Sequence, residues 1–193
     1  MYEYYTKIGK IDLGNLSKVS TFLENIIPKL AKLNQYDSGI LIGTDINLDS
    51  GDDLICMKYG ITRFFYTIKG EVLKELFDDW DNIQFWVNDK VGNTLNTYPM
   101  FSLGYNHIFK HQDKKRAASV NMGLWNSDSS VTCFWENEDL VSHARYEIGE
   151  AILADVTKTH SVIVNDHLDT INPRAILMWT TENTYTNVRQ SLK

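Results

Sequence analysis

The sequence predicts a mainly β domain with supporting N-terminal helices (α+β), a cupin-like jelly roll carried on a helical layer. Three observations predict it. From about residue 83 onward, short runs of β-branched and aromatic residues alternate with clusters of turn residues, the spacing of a sandwich or barrel rather than of βαβ units. Ahead of them lie two segments with the apolar period of a helix. Aromatic residues reach 12%, with ten Tyr and five Trp, and such side chains pack well on a pleated surface.

Between Ser17 and Leu33, apolar residues fall at Val19, Phe22, Leu23, Ile26, Ile27, Leu30 and Leu33, one face of an amphipathic helix. Ser17 or Asn15 supplies its N-cap, and Pro28 is placed to kink or divide it. A shorter helix covers Glu71 to Trp80 through Val72, Leu73, Leu76, Phe77 and Trp80, bounded by Gly70 and by Asp81-Asn82. Strands follow at 84–87, 108–109, 117–125, 131–135, 151–156, 161–164 and 175–179, separated by turn material at 88–90, 126–130, 136–139 and 165–173. The rest of residues 1–70 reads as short extended pieces. No linker interrupts the chain, so one domain is expected over 1–193, with helical support mainly in 1–82 and the jelly-roll core at about 83–182.

Composition excludes several classes. With 193 residues, 43% of them hydrophobic, the chain can bury a core without a disulfide or structural metal. Two cysteines, Cys56 and Cys133, form no disulfide framework and read as packing residues. A net charge of −6 without a basic stripe argues against a nucleic-acid partner. No window approaches the length of a membrane span, and no basic region followed by a long apolar run opens the sequence, so no membrane partner and a cytoplasmic location are expected.

Five histidines occur, at 107, 111, 143, 160 and 167. His111 and Asp113 stand two residues apart, one strand period, so both project from one face at a strand end. His160, 47 residues beyond Asp113, supplies a possible third ligand. Two imidazoles and one carboxylate on one face of a metal leave the opposite positions open, the facial arrangement of non-haem Fe(II) oxygenases. Arg174 follows His160 by fourteen residues and heads the apolar run Ala175-Ile-Leu-Met-Trp179, where a guanidinium asks for a counter-ion. His107 shares its strand face with Tyr105, Phe109 and His111, and that alternation argues against a helical metal pair. His143 and His167 default to solvent. The segment Lys110 to Arg116 reads as a solvated loop, with Arg116 either a loop charge or a contact for a substrate carboxylate. Trp125, Trp135 and Trp179 are expected to pack the core, and Trp86, Tyr98 and Trp125 are the aromatic candidates for a substrate mouth.

In the order His-x-Asp, distal His, then Arg one strand later, the sequence resembles the 2-oxoglutarate and Fe(II)-dependent oxygenases, which fold as a double-stranded β-helix. Gly149-Glu150, Asp155 and His160 fall where the aspartyl/asparaginyl β-hydroxylase and proline cis-hydroxylase branch, with small phage-type hydroxylases, carries its Gly-Glu…(Asp/Asn)…His text. The resemblance spans roughly residues 104–179. It implies that His111, Asp113 and His160 ligate iron and that Arg174 binds the distal carboxylate of 2-oxoglutarate. The branch often has Arg-x-His on the next strand; this chain has Ser119-Val120-Asn121, so Ser119 or Asn121 would supply a hydrogen bond to the cofactor instead.

The activity so implied is a 2-oxoglutarate-dependent dioxygenase that uses Fe(II) and O2, with ascorbate supportive, and hydroxylates a C–H bond. The substrate is expected to be a small molecule or peptide: an amino acid, free or in a peptide, with aspartyl/asparaginyl or prolyl hydroxylation leading. The alternative is a non-catalytic cupin-like module that binds a metal or small molecule. Arg174 separates the two, because an oxygenase aims it into the barrel and an inert module lets it reach solvent.

Overall fold

Along the central strands of the chain, alternate side chains enter two different cores, and this alternation builds the fold. The computed structural model describes residues 3–34, 52–59, 61–69, 71–92, 95, 99–104, 108–114, 116–164 and 174–193. Its elements run β1 (Tyr5–Lys10), α1 (Ser17–Asn34), β2 (Asp52–Tyr59), β3 (Ile61–Lys69), α2 (Glu71–Leu76), α3 (Trp80–Val91), β4 (Met100–Gly104) and β5 (Ile108–His111). They continue with β6 (Ala118–Trp125), β7 (Ser130–Glu136), β8 (Asp139–Ala144), β9 (Glu150–Ala154), β10 (His160–Val164), β11 (Arg174–Thr181) and α4 (Tyr185–Gln190).

One sheet has seven strands in the order β1-β9-β6-β11-β4-β3-β2, and the other four in the order β5-β10-β7-β8. Every pairing between these strands is antiparallel. From β4 onward the chain passes back and forth between the two sheets, with the hairpin β7–β8 inside the smaller one. That winding is a double-stranded β-helix, the jelly roll of cupins.

On β6, Ala118, Val120, Met122 and Leu124 face outward. They pack with Leu177 and Trp179 of β11 and with Ile83, Val87 and Val91 of α3. The other face of β11 carries Ile176 and the half-buried Met178. These join Phe134 of β7, Ile152 and Ala154 of β9 and Tyr146 in the space between the sheets. The helices therefore cover the large sheet from outside, and the inter-sheet interior is left for chemistry.

The expected strand over 84–87 is instead part of α3. Gln84-Phe-Trp-Val87 has strand-forming residues, but the apolar period is set by Trp80, Ile83, Val87 and Val91, which are buried while Phe85 is 70% exposed. Asp81 and Asn82, expected to close the preceding helix, lie inside α3; the break falls earlier, after Leu76. Trp179 Nε1 donates to Gln84 Oε1 at 3.2 Å and ties α3 to the sheet. We expect Val87→Asp to destabilise the fold by about 3 kcal/mol, the scale of an unpaired polar group forced into a core. Phe85→Asp changes stability by less than about 0.5 kcal/mol. Chemical denaturation of the two variants distinguishes this helix from a strand, in which residues 85 and 87 would share a face.

Elsewhere, α1 runs unbroken through Pro28, and Asn15 Oδ1 accepts from the Ser17 amide at 2.9 Å at its start. Cys133 is a buried free thiol whose pKa is raised by burial, consistent with a packing role. The side chain of Cys56 lies outside the described residues. Among the described residues no helix is long and apolar enough to cross a membrane.

Candidate metal centre

His111 closes β5 and His160 opens β10, and the two residues stand directly opposite each other in the antiparallel register. Cross-strand partners share a sheet face, so both imidazoles meet, with ring centroids 4.2 Å apart. Asp113 follows two residues later, and its backbone N–H donates to Val156 O at 2.9 Å, which anchors the segment beside the turn that leads into β10. The potential ligand atoms of His111, Asp113 and His160 all lie within 4.8 Å of one another. His111 Nε2 is 4.0 Å from Asp113 Oδ1.

The approach to His160 is built by the Gly149-to-His160 segment. Gly149 has φ +77°, and a Cβ there would stand 2.2 Å from Ile11 O, so glycine is required where β1's continuation crosses. The buried Asp155 accepts at Oδ1 from Thr157 N at 3.1 Å and Thr157 Oγ1 at 2.6 Å, which shapes the turn. His160 Nδ1 lies 2.8 Å from Lys158 O, which marks it as the protonated nitrogen and leaves the Nε2 lone pair for a ligand. Burial, and next the neighbouring His111, push the His160 pKa down to about 4, so this imidazole is neutral at pH 7, the form that binds metals.

Arg174 begins β11 and is 7% exposed. By strand period it shares the inward face of Ile176 and Met178. Its Nη2 donates to the Tyr146 hydroxyl, and its guanidinium carbon lies 5.3 Å from the Tyr146 ring centre. Among the described residues no carboxylate pairs with it. A second buried group in the same interior is the Thr132 hydroxyl of β7, two residues before the inward-facing Phe134, for which no hydrogen-bond partner is found among the described residues. A buried cation without a carboxylate and a buried hydroxyl without a partner both suit an anionic, oxygen-rich ligand between the sheets.

Ser119 and Asn121 are both buried on the inward-facing positions of β6, and Ser119 Oγ donates to Asn121 Oδ1 at 2.6 Å. The Ser119 proton is thus committed to its neighbour, and the Asn121 amide nitrogen is the donor the pair has left. Arg116, read as either a loop charge or a contact for a substrate carboxylate, meets a carboxylate of the chain itself: Nη2 lies 3.0 Å from Asp113 Oδ2. The tract from Lys110 to Arg116 holds two of the candidate ligands, His111 and Asp113, as read from the sequence. Beside it opens a cleft of about 400 Å³ lined by Asp113, Lys114, Arg116, Ala117, Thr157 and Glu182. The aromatic candidates for its mouth fall elsewhere: Trp86 and Trp125 pack on the helical side of the large sheet, where apolar neighbours are available. Trp135 is half-buried rather than core, with its Nε1 on Ser161 Oγ at 2.8 Å and Lys110 over its ring. Tyr98, Tyr105, His107 and His167 lie outside the described residues.

Tyr146 and Thr132 escaped the sequence reading. A tyrosine in an irregular segment and a threonine within a strand carry no spacing signal; only the register reveals that they face inward.

No protein-family model matches the chain, and no curated protein matches it in sequence. Solved structures do align over nearly its full length. A Pseudomonas putida prolyl-4-hydroxylase aligns at 10% identity, over 93% of each chain, with a TM-score of 0.45. A Burkholderia pseudomallei oxidoreductase of the 2OG-Fe(II) oxygenase family aligns at 12% identity, over 89% of this chain and 92% of that one, with a TM-score of 0.46. A Trichoplax adhaerens prolyl hydroxylase in complex with a hypoxia inducible factor peptide fragment aligns at 17% identity, over 98% of this chain and 88% of that one, with a TM-score of 0.42. These likenesses are distant, and the fold assignment rests on the strand order itself.

Proposed function

We propose that the chain is a 2-oxoglutarate- and Fe(II)-dependent oxygenase that hydroxylates a C–H bond of an amino acid, free or within a peptide. The observation that carries this reading is the pairing of two features in one barrel. Two histidines and an aspartate converge at a strand end, and a buried arginine that no described carboxylate neutralises faces the interior. An inert module that binds only a metal would let this arginine reach solvent. The inward Arg174 therefore favours the oxygenase over the binding module.

In this reading His111, Asp113 and His160 would hold the iron through two nitrogens and one oxygen, a donor set that leaves room for a cofactor. Arg174, steadied by the Tyr146 hydroxyl, receives the distal carboxylate of 2-oxoglutarate, and Thr132 offers a hydroxyl to the same ligand. Asn121, oriented by Ser119, donates from β6. When bound there, iron and 2-oxoglutarate would supply O2-dependent hydroxylation coupled to conversion of the oxoacid to succinate and CO2, with ascorbate supporting the reduced iron. The chain's own work is to orient, to desolvate and to exclude water.

The cleft beside Asp113 supports the substrate class. Its size suits a single amino-acid unit, and Lys114 and Glu182 offer opposite charges to a carboxylate and an amine. With the Gly149-to-His160 text, this favours aspartyl/asparaginyl or prolyl hydroxylation. The test is succinate release from 2-oxoglutarate with Fe(II), ascorbate and O2, screened against amino acids and short peptides bearing Asp, Asn or Pro. Succinate formation that one of these stimulates is expected. A folded protein that neither forms succinate nor binds 2-oxoglutarate would overturn the proposal.

A further inference from the structure

Asp113 divides its two carboxylate oxygens between different neighbours. Oδ1 faces the imidazoles, 4.0 Å from His111 Nε2, and Oδ2 lies 3.0 Å from Arg116 Nη2. A second guanidinium nitrogen, Nη1, donates to Met178 Sδ at 3.4 Å, so Arg116 bridges the segment after β5 to the inward face of β11. The Asp113 side chain is 13% exposed and that of Arg116 is 34% exposed. A pair so placed contributes little to stability, yet a planar guanidinium anchored on Met178 at one nitrogen and on Oδ2 at another restrains the rotation of the carboxylate.

Rotation matters because a free carboxylate can grip a divalent ion with both oxygens and occupy two coordination positions. We infer that Arg116 holds Asp113 as a one-oxygen ligand and thereby keeps open the position that a chelating 2-oxoacid needs. This rests on the oxygenase reading above. Two imidazoles and a single oxygen leave three positions of a six-coordinate ion, two for the oxoacid and one for O2. With both aspartate oxygens bound, only two are left. Arg116 is thus a positioning residue, acting on the metal through Asp113 and touching neither metal nor oxoacid.

The experiment uses the full chain loaded with Co(II), whose visible absorption reports coordination, with anaerobic calorimetry of 2-oxoglutarate binding. In Arg116→Ala we expect Co(II) affinity to fall by no more than about tenfold, the low end for losing a partner behind a ligand, because the freed second oxygen of Asp113 joins the ion. The Co(II) absorption changes, and 2-oxoglutarate binding weakens at least about tenfold, the effect of losing a partner behind a ligand. Arg116→Lys keeps a donor for Oδ2 and recovers part of both. An Arg116→Ala protein with wild-type absorption and oxoacid affinity, or an Arg116→Lys protein no better than Arg116→Ala, overturns the positioning role and leaves the oxygenase reading intact. Wild-type protein that binds neither Co(II) nor 2-oxoglutarate overturns the reading itself.

Discussion

Replacing any one of His111, Asp113 or His160 by alanine is expected to weaken Fe(II) or Co(II) binding by more than about a hundredfold, since partners one shell further out are already worth about ten- to a hundredfold. The reason is geometric. The ligand atoms come from a strand end, the segment after it and the opposing strand, and no fourth His, Cys, Asp or Glu joins the cluster among the described residues to take over. The losses do not add in double variants, because one missing ligand already breaks the set. Stability behaves differently. Asp113→Ala removes a partly exposed ion pair with Arg116, and the fold loses less than about 1 kcal/mol. His160 is buried, so His160→Gln, which keeps most of the volume, is the cleaner replacement there. Equilibrium dialysis with metal analysis, run beside thermal unfolding, separates lost ligands from lost fold.

Arg174→Met is expected to lower 2-oxoglutarate affinity by roughly thirtyfold or more, because truncating one side of a buried charge pair removes about 2–5 kcal/mol. The same substitution spares the cofactor-free protein. It deletes a buried guanidinium that no described carboxylate neutralises and inserts an apolar chain of similar length, against which stands the loss of one hydrogen bond to Tyr146, about 1 kcal/mol. The cofactor-free Tm therefore stays within about 4 °C of wild type. The clearest contrast is in linkage: saturating 2-oxoglutarate with Co(II) raises the wild-type Tm and leaves that of Arg174→Met where Co(II) alone puts it. Thermal scans with and without the oxoacid read this directly. An equal rise in both proteins would move the distal carboxylate away from Arg174.

The convergence of His111, Asp113 and His160 and the burial of Arg174 were legible in the sequence, while several elements around them were not. His111 and Asp113 announce a shared face because a strand repeats every two residues, and Arg174 announces burial because apolar residues follow it without interruption. Asp113 and His160 stand 47 residues apart, so residue type and a resemblance to known oxygenases could only suggest His160 as the third ligand, and the register sets it opposite His111. Arg116 stayed open between a loop charge and a substrate contact, because a basic residue in a charged tract shows its partner, here Asp113, only once the chain is folded. Strand β8 carries no signal of its own: Asp139-Leu-Val-Ser-His-Ala144 lies at an edge, largely exposed, and its pairing with β7 defines it. Helix α3 was hidden for the opposite reason, since Phe85-Trp86-Val87 favours a strand and only the packing of Ile83, Val87 and Val91 on the large sheet selects the helix. The interior face of β7, with Thr132, likewise follows from register and not from residue type.

The most direct test of a facial His/Asp/His centre working with Arg174 is an anaerobic absorption titration, adding Fe(II) and then 2-oxoglutarate to the full chain. The account predicts a visible charge-transfer band that needs both additions, saturates at one oxoacid per iron, and vanishes in Asp113→Ala and Arg174→Met at the same concentrations. A folded wild-type protein that takes up Fe(II) yet gives no oxoacid-dependent band would contradict it.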